Sequence, residues 1–593
     1  MSGTDVNSLF ARAERAFMAG RIDEARRDLI AVGRAAGDHP AVLHLLALVE
    51  KKGGNLTAAR GAFERAATLA PNDAQLLGNH ANLLGELDET DAALALYARA
   101  IAASPRFADA RHNRALLLQR LGRLDEALAE FDALLALAPE DGRAHAARGA
   151  VLRQLDRVDD AATAFDAALR ADPTRLTALH GRARVAMERG EANASELYVQ
   201  ALQRNPGDLE LVLGLVEAFE AEGNPLGLEL LTETAARHPG WIAGQEVLAR
   251  MRAEIGETER FADHYVAALA QRPHDRALHM SHWRSLARGE RHGEALAALR
   301  AARPALGEDD DILLIEAGFA MEAGELAEAR ALLDRLDAAR PDIAFARGRV
   351  ALRSGDPDQA AALFERVVDA DGTSINGWAN LDLAWRLSGD ARHEWLSGQP
   401  GLYGPRDIGL DAAELARTAA LLRTLHVTRA HPIGQSLRGG TQTRGSLFAR
   451  GEPEIVRLRD AIAEAVRAHF AGLPPRDDRH PLLRHRDATP AFSGSWSVRL
   501  TDRGFHVNHI HPQGIVSSAC YIALPDTIGD DAARDGWLEL GRPPAELGLS
   551  LEPLAAIAPR PGRLALFPSY LFHGTRPFAA GERLTVAFDI VAR

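Results

Sequence analysis

Five side chains in the last ninety residues have the types and spacing for metal and carboxylate chemistry. His509 and His511 stand two apart in His506-Val-Asn-His509-Ile-His511-Pro, and His573 stands in Leu-Phe-His573-Gly-Thr. On an extended chain, residues two apart share a face, so His509 and His511 point the same way and can hold one ion. His506, an odd number of residues from both, is expected on the opposite face, as a structural residue. A barrel brings His573 across from the pair. Neutral imidazole suits iron, zinc or copper, and spacing alone leaves that choice open. Arg583 and Thr585 also share a face. A planar guanidinium beside a hydroxyl matches a carboxylate. Asn508 has the wrong parity for a ligand, Cys520 reads as core packing, and His431 as structural.

The elements that must position these residues are short strands. From Ser495 the pattern turns to period two, as in Trp496-Ser-Val-Arg-Leu500. Segments 516–524, 536–540, 563–567 and 584–591 read as further strands, punctuated by Gly and Pro, which predicts a jelly-roll. Ahead of them, 454–470 has the apolar spacing of a support helix, and 411–424 reads as a helix capped by Asp411. Gly439-Gly440 reads as a turn or surface loop, and lacks the Gly-Lys-Ser/Thr ending of a phosphate loop. Residues 387–410, rich in Gly and Pro, read as a linker.

A chain of 593 residues exceeds one ordinary domain. A net charge of -13 removes any general electrostatic reason to bind nucleic acid or an anionic membrane. One cysteine excludes an intramolecular disulfide. The start lacks the basic and apolar regions of a signal peptide, and no apolar run reaches membrane-spanning length. A soluble, cytoplasmic protein is expected.

The first two-thirds repeats itself. Pro71, Pro105, Pro139 and Pro173 are spaced by 34 residues, and Pro206, Pro239 and Pro273 continue the series. Twelve residues before the first five prolines stand Ala59, Ala93, Ala127, Ala161 and Ala194, and eight before them Phe63, Tyr97, Phe131, Phe165 and Tyr198. Alanine lets two helices approach, and the ring fills the gap to the next repeat. Proline falls where a helix has ended. The period and its markers resemble the tetratricopeptide repeat over about residues 5–390. Such an array implies a groove for a protein or peptide.

The C-terminal region is similar to the Fe(II)- and 2-oxoglutarate-dependent oxygenases, a double-stranded β-helix family. Its prolyl-hydroxylase-like branch carries His-x-Asp, a distal His, and Arg-x-Ser about ten residues on. Here those positions read His509-Ile-His511, His573 and Arg583-Leu-Thr585. The resemblance implies Fe(II) on His509, His511 and His573. It implies 2-oxoglutarate on Arg583 and Thr585, with Tyr521 at a cosubstrate-contacting position. Histidine stands where the family's carboxylate ligand usually does, which leaves the site one negative charge short and also matches a His₃ zinc set. The segment from Ser495 to Leu524 most resembles a branch that carries His-x-His-Pro at this place and is often joined to tetratricopeptide repeats.

The expected organisation is therefore multidomain. It comprises an all-α repeat solenoid (1–390), a linker with a connecting helix (391–425) and an α+β double-stranded β-helix, or jelly-roll, domain (426–593). The expected function is a dioxygenase hydroxylating a protein or peptide recruited by the repeats, with no nucleic-acid or membrane partner. The alternative is a repeat scaffold with a non-catalytic metal-binding jelly-roll. A His₃ zinc hydrolase ranks last, because no general base stands beside the pair.

Overall fold

A computed structural model of the chain describes residues 3–428, 434–528 and 533–592. It divides into two compact units: residues 1–186 with 196–207, and residues 187–195 with 208–593. His431 lies outside the described residues.

The first unit consists of antiparallel helix pairs such as Pro40–Lys52 with Leu56–Leu69, and Gly142–Gln154 with Val158–Ala171. The in-phase residues form its core. Ala59, Ala93, Ala127 and Ala161 are fully buried, as are Phe63 and Phe131, with Tyr97 and Phe165 nearly so. A Cβ on Gly149 would stand 2.9 Å from the Phe165 ring, and one on Gly181 of the following repeat would collide with it. The ring therefore spans two repeats and depends on both glycines, as the packing argument requires.

The second unit holds further helix pairs, ending with Ile375–Ser388, and a β domain. Its strands are β1 (Gly404–Asp407), β2 (Leu437–Gln442), β3 (Pro490–His506), β4 (Val516–Ala523), β5 (Leu538–Leu540), β6 (Ala555–Ile557), β7 (Arg563–Pro568), β8 (His573–Thr575) and β9 (Arg583–Ala592). A six-stranded sheet has the order β1-β7-β4-β9-β3-β2, and a three-stranded one β6-β5-β8, all antiparallel. A long helix, Pro453–Ala471, packs on the larger sheet and buries Ile455, Leu458, Ile462 and Phe470. This is the jelly-roll that the strand spacing predicts. Among the described residues no helix is long and apolar enough to cross a membrane.

Two expectations change. Gly439-Gly440 is not a loop but part of β2, an edge strand with a bulge between Arg438 and Gly440. Gly439 has φ +71, and a Cβ on Gly440 would strike the Arg499 carbonyl, so glycine is needed to let this strand lie against β3. The stretch 387–410 is no open tether either. Its residues 404–407 add β1 to the sheet. Ser397 donates to buried Asp382 at 2.7 Å, and the Leu396 carbonyl accepts from Tyr570 Oη at 2.5 Å and His480 Nε2 at 3.0 Å. Gly and Pro marked breaks in the helix without saying what the chain then pairs with.

The same junction predicts acid sensitivity. His480 and His469 are fully buried. His480 Nδ1 accepts from the Leu482 and Leu483 amides while Nε2 donates, so only the neutral ring satisfies every bond. Neither nitrogen of His469 has a partner. Burial pulls both imidazoles down to about 4. The folded value lies below the unfolded one near 6.5, so the unfolded chain binds protons first. Stability is full above the unfolded value and is lost as pH falls from about 6.5 towards 4. Each ring is expected to remove about 1 kcal/mol between about pH 7.5 and 5.5. Urea unfolding at the two pH values measures the loss, and His469→Leu should reduce it by that ring's share.

Candidate metal centre

β3 leaves the sheet at His506, and the chain stays outside the ladders until β4. Within this stretch His509 forms an isolated bridge with His573, the first residue of β8. The His509 amide donates to the His573 carbonyl at 3.0 Å, and the His573 amide to the His509 carbonyl at 2.9 Å. Main-chain bonds thus hold two of the three histidines opposite each other, whatever their side chains do. His509 and His511 are not on a regular strand, as the parity argument assumed, yet their rings do meet, with centroids 5.0 Å apart.

The ligating atoms of His509, His511 and His573 all lie within 4.8 Å of one another. Each ring is oriented by an oxygen at Nδ1: the Val507 carbonyl at 2.9 Å for His509, Asp589 Oδ1 at 2.6 Å for His511, and the Leu571 carbonyl at 3.1 Å for His573. A ring that donates from Nδ1 keeps its Nε2 lone pair for a metal. The Nε2 atoms of His509 and His511 are 3.0 Å apart. Lone pairs facing at that distance repel unless a cation or proton lies between them. Burial pulls His509 down to about 3 and holds His573 well below its usual value, and neighbouring imidazoles add to both shifts. Neutral, preoriented imidazoles in this arrangement fit a metal ion such as iron.

The sequence reading missed Asp589. It lies on β9, bonded to His511 and accepting from Ser517 Oγ at 3.1 Å. The negative charge missing from the ligand set is thus present one bond behind it. A signal existed: Asp589 is six residues beyond Arg583 and four beyond Thr585, on the same face of the strand. His506 also differs from expectation. Ser436 Oγ stands 3.0 Å from His506 Nδ1 and 3.1 Å from His509 Nε2, and the His506 and His509 rings stack at 6.0 Å. Parity fails because alternation ends where β3 ends. Trp496 stacks on His511 at 5.8 Å. Asn508 turns away to the Pro543 carbonyl, and Cys520 is buried, its thiol pushed up to about 12 by burial.

Arg583 is 2% exposed, and no carboxylate among the described residues pairs with it. Its guanidinium lies 5.1 Å over the Tyr521 ring and makes one long hydrogen bond, 3.4 Å, to Thr575 Oγ1. Arg583 Nε and Tyr521 Oη are both buried without a partner. A buried cation this poorly compensated is costly unless an anion joins it. Thr585, also buried, shares its face on β9. Histidines, Arg583 and Thr585 open into one cavity of about 920 Å³.

Comparison with known proteins agrees with both halves of the chain. Residues 494–589 match the family described as "Putative 2OG-Fe(II) oxygenase". Residues 10–74, 79–141, 112–175, 320–375 and 345–393 match the tetratricopeptide repeat. The chain joins a tetratricopeptide-repeat array to a C-terminal domain of the 2OG-Fe(II) oxygenase family. No curated protein sequence matches it. Among solved structures it is similar to MamA from Desulfovibrio magneticus RS-1, at 17% identity and TM-score 0.27, over 29% of this chain and 98% of that one. It is similar to PilW, a type IV pilus biogenesis factor, at 22% identity and TM-score 0.32, over 34% and 94%. A tetratricopeptide repeat protein from Parabacteroides merdae aligns at 15% identity and TM-score 0.29, over 58% and 98%. TM-scores at this level define no shared architecture.

Proposed function

We propose that this protein is an Fe(II)- and 2-oxoglutarate-dependent dioxygenase that hydroxylates a protein or peptide recruited by its repeats. The observation that supports this most is the pairing, in one cavity, of three converging imidazoles with a buried, anion-deficient arginine. A metal-binding scaffold would need the imidazoles but not Arg583. His509, His511 and His573 would hold the iron through Nε2. Arg583, with Thr585 and Tyr521, would take the distal carboxylate of 2-oxoglutarate, whose charge offsets the guanidinium and whose oxygens satisfy the orphaned donors. When bound, iron with 2-oxoglutarate and dioxygen supplies the oxidation: the cosubstrate becomes succinate and CO₂, and one oxygen atom enters a substrate C–H bond.

The protein's own groups prepare for this. The Val507 and Leu571 carbonyls and Asp589 fix the three rings before any ion arrives, which lowers the ordering required on binding. Asp589 makes His511 a more basic ligand by accepting its Nδ1 proton, which offsets in part the absent carboxylate ligand. Trp496 covers the His511 ring and keeps water from that side.

Anaerobic titration of the Fe(II)-loaded protein with 2-oxoglutarate, followed by visible absorption, tests the reading. Saturable absorption is expected. Iron bound with no response to 2-oxoglutarate would defeat the dioxygenase assignment and favour the scaffold. By chelator competition, Asp589→Asn is expected to weaken iron binding by about 10–100-fold, since it removes the charge behind His511. An unchanged metal affinity would show that the aspartate only packs.

A further inference from the structure

The cavity above the histidines has a second wall, and it is not part of the β domain. It comes from the helix pairs of the same unit, through the helix Arg276–Arg288 and the helix Pro341–Arg353. Ion pairs hold this wall in place. Arg438 of β2 pairs with Glu290, in the turn after the first of these helices. Glu290 has φ +61, a conformation that disfavours a side chain, and there its carboxylate meets the β domain. Arg444, just past β2, is half-buried and pairs with Glu254 and Glu220, which Arg250 also engages.

Against this background two arginines stand out. Arg284 and Arg288 both line the cavity and both are exposed to it. They are four residues apart on one helix, so their side chains share a face. Arg438 and Arg349 on the same cavity are neutralised by Glu290 and Glu322. Among the described residues Arg284 and Arg288 have neither a hydrogen bond nor an ion pair. Like charges at this spacing oppose helix formation. Among the described residues Glu546 is the one lining carboxylate without a partner, and it sits beside the helix Pro341–Arg353.

We propose that the cavity receives an acidic peptide segment, with Arg284 and Arg288 binding an aspartate or glutamate side chain of the substrate beside the residue that reacts. Two guanidinium forks on one face match a carboxylate in its plane. At about 920 Å³ the cavity lies near the top of the range for small-ligand sites, more than one small dicarboxylate fills. Arg583 already serves the cosubstrate from a buried position, so the exposed pair is left for the substrate. A polyanion such as nucleic acid would meet the repulsion of a chain of net charge -13, whereas one carboxylate needs only local complementarity. The naming of the peptide as substrate rests on the oxygenase reading; its binding does not.

Selection from a randomised displayed peptide library against the full chain, without added metal, tests this. Enrichment of aspartate and glutamate is expected. Selected peptides should bind about tenfold or more weaker, by fluorescence anisotropy, to the Arg284→Gln/Arg288→Gln variant. The reversed variant, Arg284→Glu/Arg288→Glu, should instead enrich lysine and arginine, a gain that misfolding does not produce. A library without acidic enrichment, acidic enrichment that survives the reversal, or preference for a DNA oligonucleotide would each overturn the proposal. Succinate formation with Fe(II) and 2-oxoglutarate is measured separately. Its absence beside acidic-peptide binding lost on reversal would remove the oxygenase reading and leave the binding site. Its presence without acidic preference would do the opposite.

Discussion

Replacing Arg583 by methionine is expected to weaken 2-oxoglutarate binding by about 100-fold or more, and to raise the stability of the cosubstrate-free protein. The first effect follows from losing two charge-assisted hydrogen bonds, about 1.5–3 kcal/mol each. The second follows from the guanidinium's surroundings. It is buried, has no carboxylate partner and leaves Nε unsatisfied. Replacing such a charge with an apolar side chain of similar length is expected to stabilise by about 1 kcal/mol or more. Titration calorimetry under anaerobic conditions measures the first effect, and urea unfolding without cosubstrate the second. The pair of signs is diagnostic. Weakened binding with lower stability would mean that Arg583 acts chiefly by packing on Tyr521. Unchanged binding would end its assignment to the cosubstrate. Lysine at this position keeps the charge but not the fork, and should fall between the two.

His573→Ala is expected to reduce metal affinity by more than the roughly 10–100-fold assigned to a supporting residue such as Asp589. The variant is informative because the bridge between residues 509 and 573 is made by main-chain atoms. It survives loss of the ring, so His509 and His511 should keep their places. Chelator competition with metal analysis reads the loss. His506→Ala is the matched comparison. Its ring bonds to Ser436 and stacks on His509, but it is outside the converging set, so its metal affinity should change only a few-fold. Equal losses in the two variants would mean that the ligand set is wrong, and retention of metal in His573→Ala would move the centre elsewhere.

These two variants also separate what each level of information can reach. The repeat period, the buried alanines and rings, the helix Pro453–Ala471 and the strand-rich C-terminus were legible in the sequence. Each is a local pattern written many times over, in which the spacing of residue types maps directly onto a helix face or a strand face. The same holds for Arg583 and Thr585, which a regular strand places side by side. The convergence of His509, His511 and His573 was anticipated for a partly different reason from the one observed: the pair lies on an irregular segment anchored by an isolated bridge and scattered main-chain bonds, not on a strand.

Tertiary structure alone decided the rest. Asp589 reaches His511 across 78 residues, Ser436 meets His506 and His509 across 70 and 73, and Arg438 finds Glu290 across 148. No local period encodes such meetings, because they depend on which strands pair and in what register. The glycines of β2 read as a loop for the same reason: a chain that must pass close to a neighbouring backbone and one that merely turns both call for glycine. By itself the sequence determined the kinds of element and the candidate residues for a metal and an anion. Only the packing of sheet against helix pairs decided that those residues share a cavity with two arginines from a distant repeat that have no partner among the described residues, because that wall exists only once the chain has closed on itself.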